Sequence, residues 1–280
     1  MKEWFQRRKC LLVFSTLLLA WSAAHGIVNA ANQKAPQKLA RHPFRILFIG
    51  DSITSYGVSP QSIKTLGWNH ASGMAATSAS KDYVHLLTAF IQKALPHRKV
   101  TMQIGAGPDY GRFDKKGGRN VHIYLAPMKL FVKRHPLSRY NLIVLQHGEH
   151  EQFRRGLPEM RRICSAWMKL FSGKHRAMMI CVGPWAPWFA THGKKYTGWT
   201  LRVQHTIRRL CLQWGGVFVS VEDIAVDPRN HGWGKAPGVR WHPNDRGHLL
   251  YAIQIFKAFK KIAAAHGLKL HPVVLPKVKP

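Results

Sequence analysis

The chain has 280 residues, 46% of them hydrophobic, which is enough for one sizeable core and fits a single α/β domain. Lys and Arg number 43 against 12 Asp and Glu, giving a formal net charge of +31 that attracts polyanions but says little about fold. The basic residues are scattered without a nucleic-acid-binding pattern, and neither CxxC nor HExxH spacing occurs, so nucleic acid is disfavoured as a partner and a standard zinc site is absent.

Lys2, Arg7, Arg8 and Lys9 precede an apolar run from Cys10 to about Ala24, and small residues close the segment at Val28-Asn29-Ala30. That order reads as a secretory signal over residues 1–30; the run is short for a membrane span of ~20 residues. Removing it takes away four basic residues and one acidic residue, leaving about +28. The expected location is secreted or periplasmic, where an acidic polymer is a candidate partner. Cys164, Cys181 and Cys211 remain, each among apolar neighbours. They read as small buried hydrophobes rather than a disulfide framework.

Residues 31–43 are polar and rich in Lys, Gln and Pro, a flexible lead-in. Phe44–Ile49 is a short apolar run that suits a buried parallel strand. Lys81–Leu95 carries one helical stripe and stops at Pro96. Lys99–Ile104 is the second strand, and Tyr124–Lys133 the next helix. Strand Asn141–Leu145, helix Glu159–Phe171, strand Ala177–Val182, helix Thr200–Trp214 and strand Gly216–Val221 follow. A helix over Asn244–Ala265 closes a domain spanning 44–268, and 269–280 is a tail. This alternation predicts a three-layer α/β/α sandwich, a flavodoxin-like parallel sheet of about five strands with helices on both faces. Sites in such sheets form at the carboxyl ends of the strands.

Two blocks carry chemistry there. Ser52, in Gly50-Asp51-Ser52, follows the first strand, where free backbone N–H groups can receive an oxyanion. His242, in Trp241-His242-Pro243-Asn244-Asp245, stands just before the last helix, where it can take a serine proton and return it to a leaving group. His248 falls inside that helix and reads as structural.

Together these blocks resemble the SGNH (GDSL) hydrolase superfamily over roughly Phe44 to His266. The stretches Gly73–Ser78 and Lys81–His85 look like a bacterial exported subgroup of it. The resemblance implies a serine esterase without a cofactor, with Ser52 as nucleophile and His242 as base. It implies an oxyanion hole from the N–H of Ser52, Gly105 in Gln103-Ile104-Gly105, and His150, which replaces the family's asparagine in Gly148-Glu149-His150-Glu151. The family's acid position, three before the histidine, is Val239 here. The orienting group could be a backbone carbonyl, or Asp223, Asp227 or Glu222 reaching in from the preceding loop. Asp51, Trp185 and Trp241 are the substrate-binding candidates; Trp188 and Trp233 lie nearby, and exposed Trp stacks on sugar rings or acyl chains.

The expected activity is hydrolysis of an O-acyl ester, short-chain and acetyl-like, on a small-molecule or polysaccharide substrate. The alternatives are an acyltransferase acting on an exported glycan and a glycan-binding domain with impaired catalysis. His147, Glu149, His150 and Glu151 could cluster round zinc, but no third ligand is evident from the sequence, so no metal is assigned.

Overall fold

A computed structural model describes residues 42–106, 121–149, 157–172, 177–187 and 194–278. The signal segment and most of the lead-in lie outside the described residues, as do His150, Glu151 and Trp188.

Five strands form the sheet: β1 (Phe44–Gly50), β2 (Val100–Ala106), β3 (Leu142–Gln146), β4 (Met178–Val182) and β5 (Val217–Val219). Their order is β2-β1-β3-β4-β5 and every pair is parallel. The sequence dictates this through its unbroken apolar runs. Every residue of β3 and β4 is buried, as a strand covered on both faces requires. Alternate side chains then go to opposite layers. Ile46 and Phe48 pack beneath α2 (Tyr83–Ala94) and α8 (Asp245–Ala265). Leu47 and Ile49 pack beneath α3 (Val121–Arg134), α4 (Leu157–Lys169) and α5 (Lys194–Gln213). The result is the expected three-layer sandwich.

The helix starts follow local chemistry. Asp82 caps α2 by accepting the His85 N–H, and Asn244 caps α8 by accepting that of Gly247. Three short helices have no sequence signature comparable to the long ones: α1 (Pro60–Leu66), α6 (Glu222–Ala225) and α7 (Pro237–Trp241).

The cysteine expectation is corrected. Cys181 and Cys211 form a disulfide joining β4 to α5, with Cα atoms 6.2 Å apart. Both are buried in the same layer of the core, since Cys181 alternates onto the face that α5 covers. Cys164 is buried and lies outside that disulfide. The C-terminal segment also packs more than its composition suggests. The His271 N–H donates to Ala94 O at 2.9 Å, and Leu268, Leu270, Val273 and Leu275 lie against the core. Among the described residues no helix is long and apolar enough to cross a membrane.

Candidate active site

β1 ends at Gly50 for a steric reason. A Cβ there would overlap Thr54 Oγ1 and approach Gln146 Oε1 to 2.7 Å. Those two atoms are already hydrogen-bonded to each other at 2.9 Å, and Thr54 Oγ1 also meets Tyr83 Oη at 2.7 Å. The chain then turns: the Thr54 and Ser55 N–H groups both donate to Asp51 O, and that of Ile53 donates to Asp51 Oδ1 at 3.2 Å. Ser52 rides on this turn. Its own N–H donates to no other group among the described residues, as an oxyanion donor requires.

Ser52 Oγ lies 2.6 Å from His242 Nε2. His242 ends α7, and Pro243 and Asn244 after it start α8. Its Nδ1 lies 2.5 Å from Gly238 O. A carbonyl oxygen can only accept, so Nδ1 carries the proton and Nε2 presents a lone pair to the serine. This is the tautomer a general base needs. A backbone carbonyl thus meets Nδ1, the edge of the ring that faces the acid in a triad.

The three acids considered for that task are placed elsewhere. Asp227 caps the turn at Pro228–Asn230 and binds Arg229 and Arg246 at 3.0 and 3.1 Å. Those cations hold its carboxyl below the usual carboxylate range. Asp223 is exposed on α6, and Glu222 Oε2 faces Gln204 Nε2 at 3.4 Å. Val239 is fully buried with Trp68, Met74 and Ala75, a small apolar cluster that leaves no place for a carboxylate.

The remaining candidates divide. Gly105 lies inside β2 opposite Ile49, and a Cβ would collide with Ile49 and Phe131. His150 lies outside the described residues. His147 is buried against Trp167 at 4.4 Å, and burial lowers its pKa to about 3. Among the described residues no group of His, Cys, Asp and Glu could hold a metal. Trp185 is fully buried, so it fills the core rather than facing a substrate. Its indole N–H donates to Trp241 O at 2.6 Å, anchoring the residue before His242. Trp241 is half-buried and meets the His242 ring edge-on at 4.9 Å. Trp233 is 38% exposed, stacks on Trp68 and donates its indole N–H to Ala75 O. Ala75 has φ 70, the one non-glycine residue with positive φ among those described. Such strain clusters at functional sites.

Glu149 had no role in the sequence reading beyond a discarded metal cluster. It is buried, and its Oε1 accepts the N–H of Trp185 at 2.8 Å and Gln146 Nε2 at 2.5 Å. Burial first, and then the neighbouring Asp51 carboxyl, push its pKa well above the usual carboxylate range. Asp51 is half-buried and its carboxyl accepts the Ile53 N–H in the turn that carries Ser52.

No protein-family model matches the chain, and no curated protein matches it in sequence. Solved structures do. The α/β hydrolase LAE5 from the metagenome of Lake Arreo, Spain, superposes with a TM-score of 0.53 at 18% identity, covering 79% of this chain and 96% of that one. A tryptophan-to-isoleucine variant of Axe2, an acetyl xylan esterase from Geobacillus stearothermophilus, gives 0.54 at 15% identity, with 78% and 96% covered. A catalytic serine-to-alanine mutant of the same esterase gives 0.53 at 15%, with 78% and 94% covered. The chain thus shares its fold with hydrolases and acetyl xylan esterases. On that fold it places a serine and a histidine in hydrogen-bond contact beside the carboxyl end of β1.

Proposed function

We propose that the protein is a serine esterase that cleaves an O-acyl ester, acetyl-like, on a carbohydrate, through an acyl-enzyme at Ser52. The observation that carries this reading is the 2.6 Å contact of Ser52 Oγ with a His242 whose tautomer is set by Gly238 O. In the first half-reaction His242 Nε2 takes the hydroxyl proton as Oγ attacks the acyl carbon. The tetrahedral oxyanion meets the open N–H of Ser52, joined in this proposal by Gly105 and His150. The imidazolium then gives its proton to the departing sugar oxygen, and water repeats the sequence to release the acid.

Fold-sharing with acetyl xylan esterases supports the substrate class, as does the exposed Trp233 on its Trp68 base. The resemblance to SGNH hydrolases stands as part of the same proposal. So does export to a secreted or periplasmic location, which the Cys181–Cys211 disulfide supports because such bonds persist in oxidising compartments. Assay of the protein without residues 1–30 on p-nitrophenyl acetate and on acetylated xylo-oligosaccharides, beside Ser52→Ala, tests the proposal. Acetate release that needs Ser52 supports it. Transfer of acetyl to an added glycan without release of acetate would replace it with acyl transfer.

A further inference from the structure

A cavity of about 300 Å³ opens at the amino end of the sheet, lined by Arg45, Thr101, Gln103, His135, Arg139 and Tyr140 among others. Arg45 is the second residue of β1 and pairs with Thr101 of β2. Gly50, at the other end of β1, leads into the Ser52 turn. At the rise of a parallel strand those two positions are about 17 Å apart.

The backbone holds the two arginines together. The Arg45 N–H donates to Asn141 Oδ1 and the Asn141 N–H donates to Arg45 O, each at 2.8 Å. These bonds fix the turn Leu137–Arg139, and Tyr140 after it, against the start of β1. Arg45 alternates onto the face that carries Leu47 and Ile49. α3 covers that face but stops at Arg134, one residue before His135 reaches the cavity.

The wall is a connected polar network. Tyr140 is 7% exposed, and its hydroxyl donates to Gln103 Oε1 at 2.5 Å. Gln103 Nε2 lies 3.0 Å from His135 Nδ1. Arg45 and Arg139 are exposed, and neither guanidinium pairs with a carboxylate among the described residues. Burial raises the Tyr140 pKa, and the nearby Arg139 and Arg45 cations oppose the rise. Two like charges gathered on one cavity repel, and a bound anion relieves that repulsion. A guanidinium offers a planar fork that takes a carboxylate through two parallel hydrogen bonds. The Thr101 hydroxyl and Gln103 amide add neutral partners of the kind sugar hydroxyls use. The volume is at the lower end for ligand pockets, which suits a single small ring.

We propose that Arg45 and Arg139 form a second binding site, for the carboxylate of an acidic sugar of the uronate type, and that it holds the enzyme on an acidic glycan while Ser52 works at the opposite end of the sheet. Identification of the ligand as a sugar rests on the carbohydrate reading; the anion site itself does not. The excess of 43 Lys and Arg over 12 Asp and Glu favours the same polyanionic surroundings.

Calorimetric titration with a xylo-oligosaccharide that carries glucuronic acid and no acyl ester measures binding apart from turnover. Wild type binds it, and the binding weakens as salt rises. The neutral xylo-oligosaccharide of equal length binds wild type at least about tenfold more weakly, and the acidic one binds the double variant Arg45→Gln, Arg139→Gln more weakly by the same factor. That variant keeps wild-type hydrolysis of p-nitrophenyl acetate, since neither arginine belongs to the Ser52–His242 pair. Amide chemical shifts locate the ligand without any substitution: those of Arg45, Thr101 and Tyr140 move, and those of Ser52 and His242 do not. Equal affinity for the acidic and neutral oligosaccharides, an unaffected double variant, or shifts centred on Ser52 overturns the proposal. Inorganic phosphate bound as tightly as the acidic oligosaccharide overturns the choice of a sugar. Wild type that binds the acidic oligosaccharide as described but turns over no ester sinks the esterase reading and leaves the second site standing.

Discussion

Ser52 and His242 are 190 residues apart in sequence, yet Oγ and Nε2 lie 2.6 Å from each other. The sheet makes this possible. β1 delivers the serine at its carboxyl end, and the α7–α8 junction brings the histidine back over the same end. A contact of that length is a proton-transfer distance.

Gly50→Ala tests how strictly the turn is built. The added methyl must displace Thr54 Oγ1 or Gln146 Oε1, which already bond to each other. Overpacking of this kind costs about 1–3 kcal/mol. The expected outcome is a lower urea midpoint together with a large loss of esterase kcat. Wild-type stability and rate would show that the turn tolerates a side chain.

The strands and long helices were legible because their signals are local. Uninterrupted apolar runs such as Leu142–Leu145 and a stripe such as Tyr83, Val84, Leu87 and Ile91 specify burial on two faces and on one. The GDS and HPND blocks likewise gave Ser52 and His242. What was not legible depends on contacts distant in sequence. Nothing near Gly238 marks its carbonyl as the partner of His242, since every residue has one. Glu149 looks like a loop acid until Trp185, 36 residues on, is seen to donate to it. Trp185, a substrate-binding candidate because it stands just past the fourth strand, is buried, and its indole reaches the Trp241 carbonyl 56 residues on. The disulfide needed the pairing of β4 with α5, which spacing alone does not reveal.

The disulfide should matter to stability. It closes a loop of 30 residues between Cys181 and Cys211. Chain-entropy arithmetic gives about 3–4 kcal/mol for such a loop. The double variant Cys181→Ala, Cys211→Ala should unfold at correspondingly lower denaturant. A midpoint equal to that of wild type would show that the bond does not form in the protein as produced.

Acid should weaken the fold through His248. Its Nδ1 accepts the Tyr83 N–H at 3.3 Å, so Nε2 carries the proton and donates to Met74 O at 3.2 Å. Burial lowers its pKa to about 4 from 6.5, against a smaller opposing pull from the Met74 carbonyl. Below 6.5 the unfolded chain therefore takes up a proton that the folded chain refuses. Stability is full above that pH and falls as pH drops towards 4, by about 3 kcal/mol for this group. His147, lowered to about 3, adds to the fall. Thermal melts from pH 7 to pH 4 should show this decline, with a shallower slope for His248→Gln. Equal slopes would assign the decline elsewhere.

Trp233 separates sugar binding from chemistry. It is partly exposed, braced by Trp68 and held by Ala75 O. Trp233→Ala should raise KM for acetylated xylo-oligosaccharides about tenfold, the effect of losing an aromatic contact worth about 1.4 kcal/mol. It should leave p-nitrophenyl acetate hydrolysis near wild type. Equal effects on both substrates would place Trp233 in the support of the site rather than in carbohydrate recognition.

The central claim is that Ser52 and His242 form a working nucleophile and base. Its most direct test is turnover of p-nitrophenyl acetate from pH 4 to 9 by wild type, Ser52→Ala and His242→Ala, with folding verified by circular dichroism. The account predicts turnover by wild type and a loss of roughly 10³-fold or more in kcat in each variant, with the two losses not adding when combined. Folded wild-type protein without turnover, or variants as active as wild type, would contradict it.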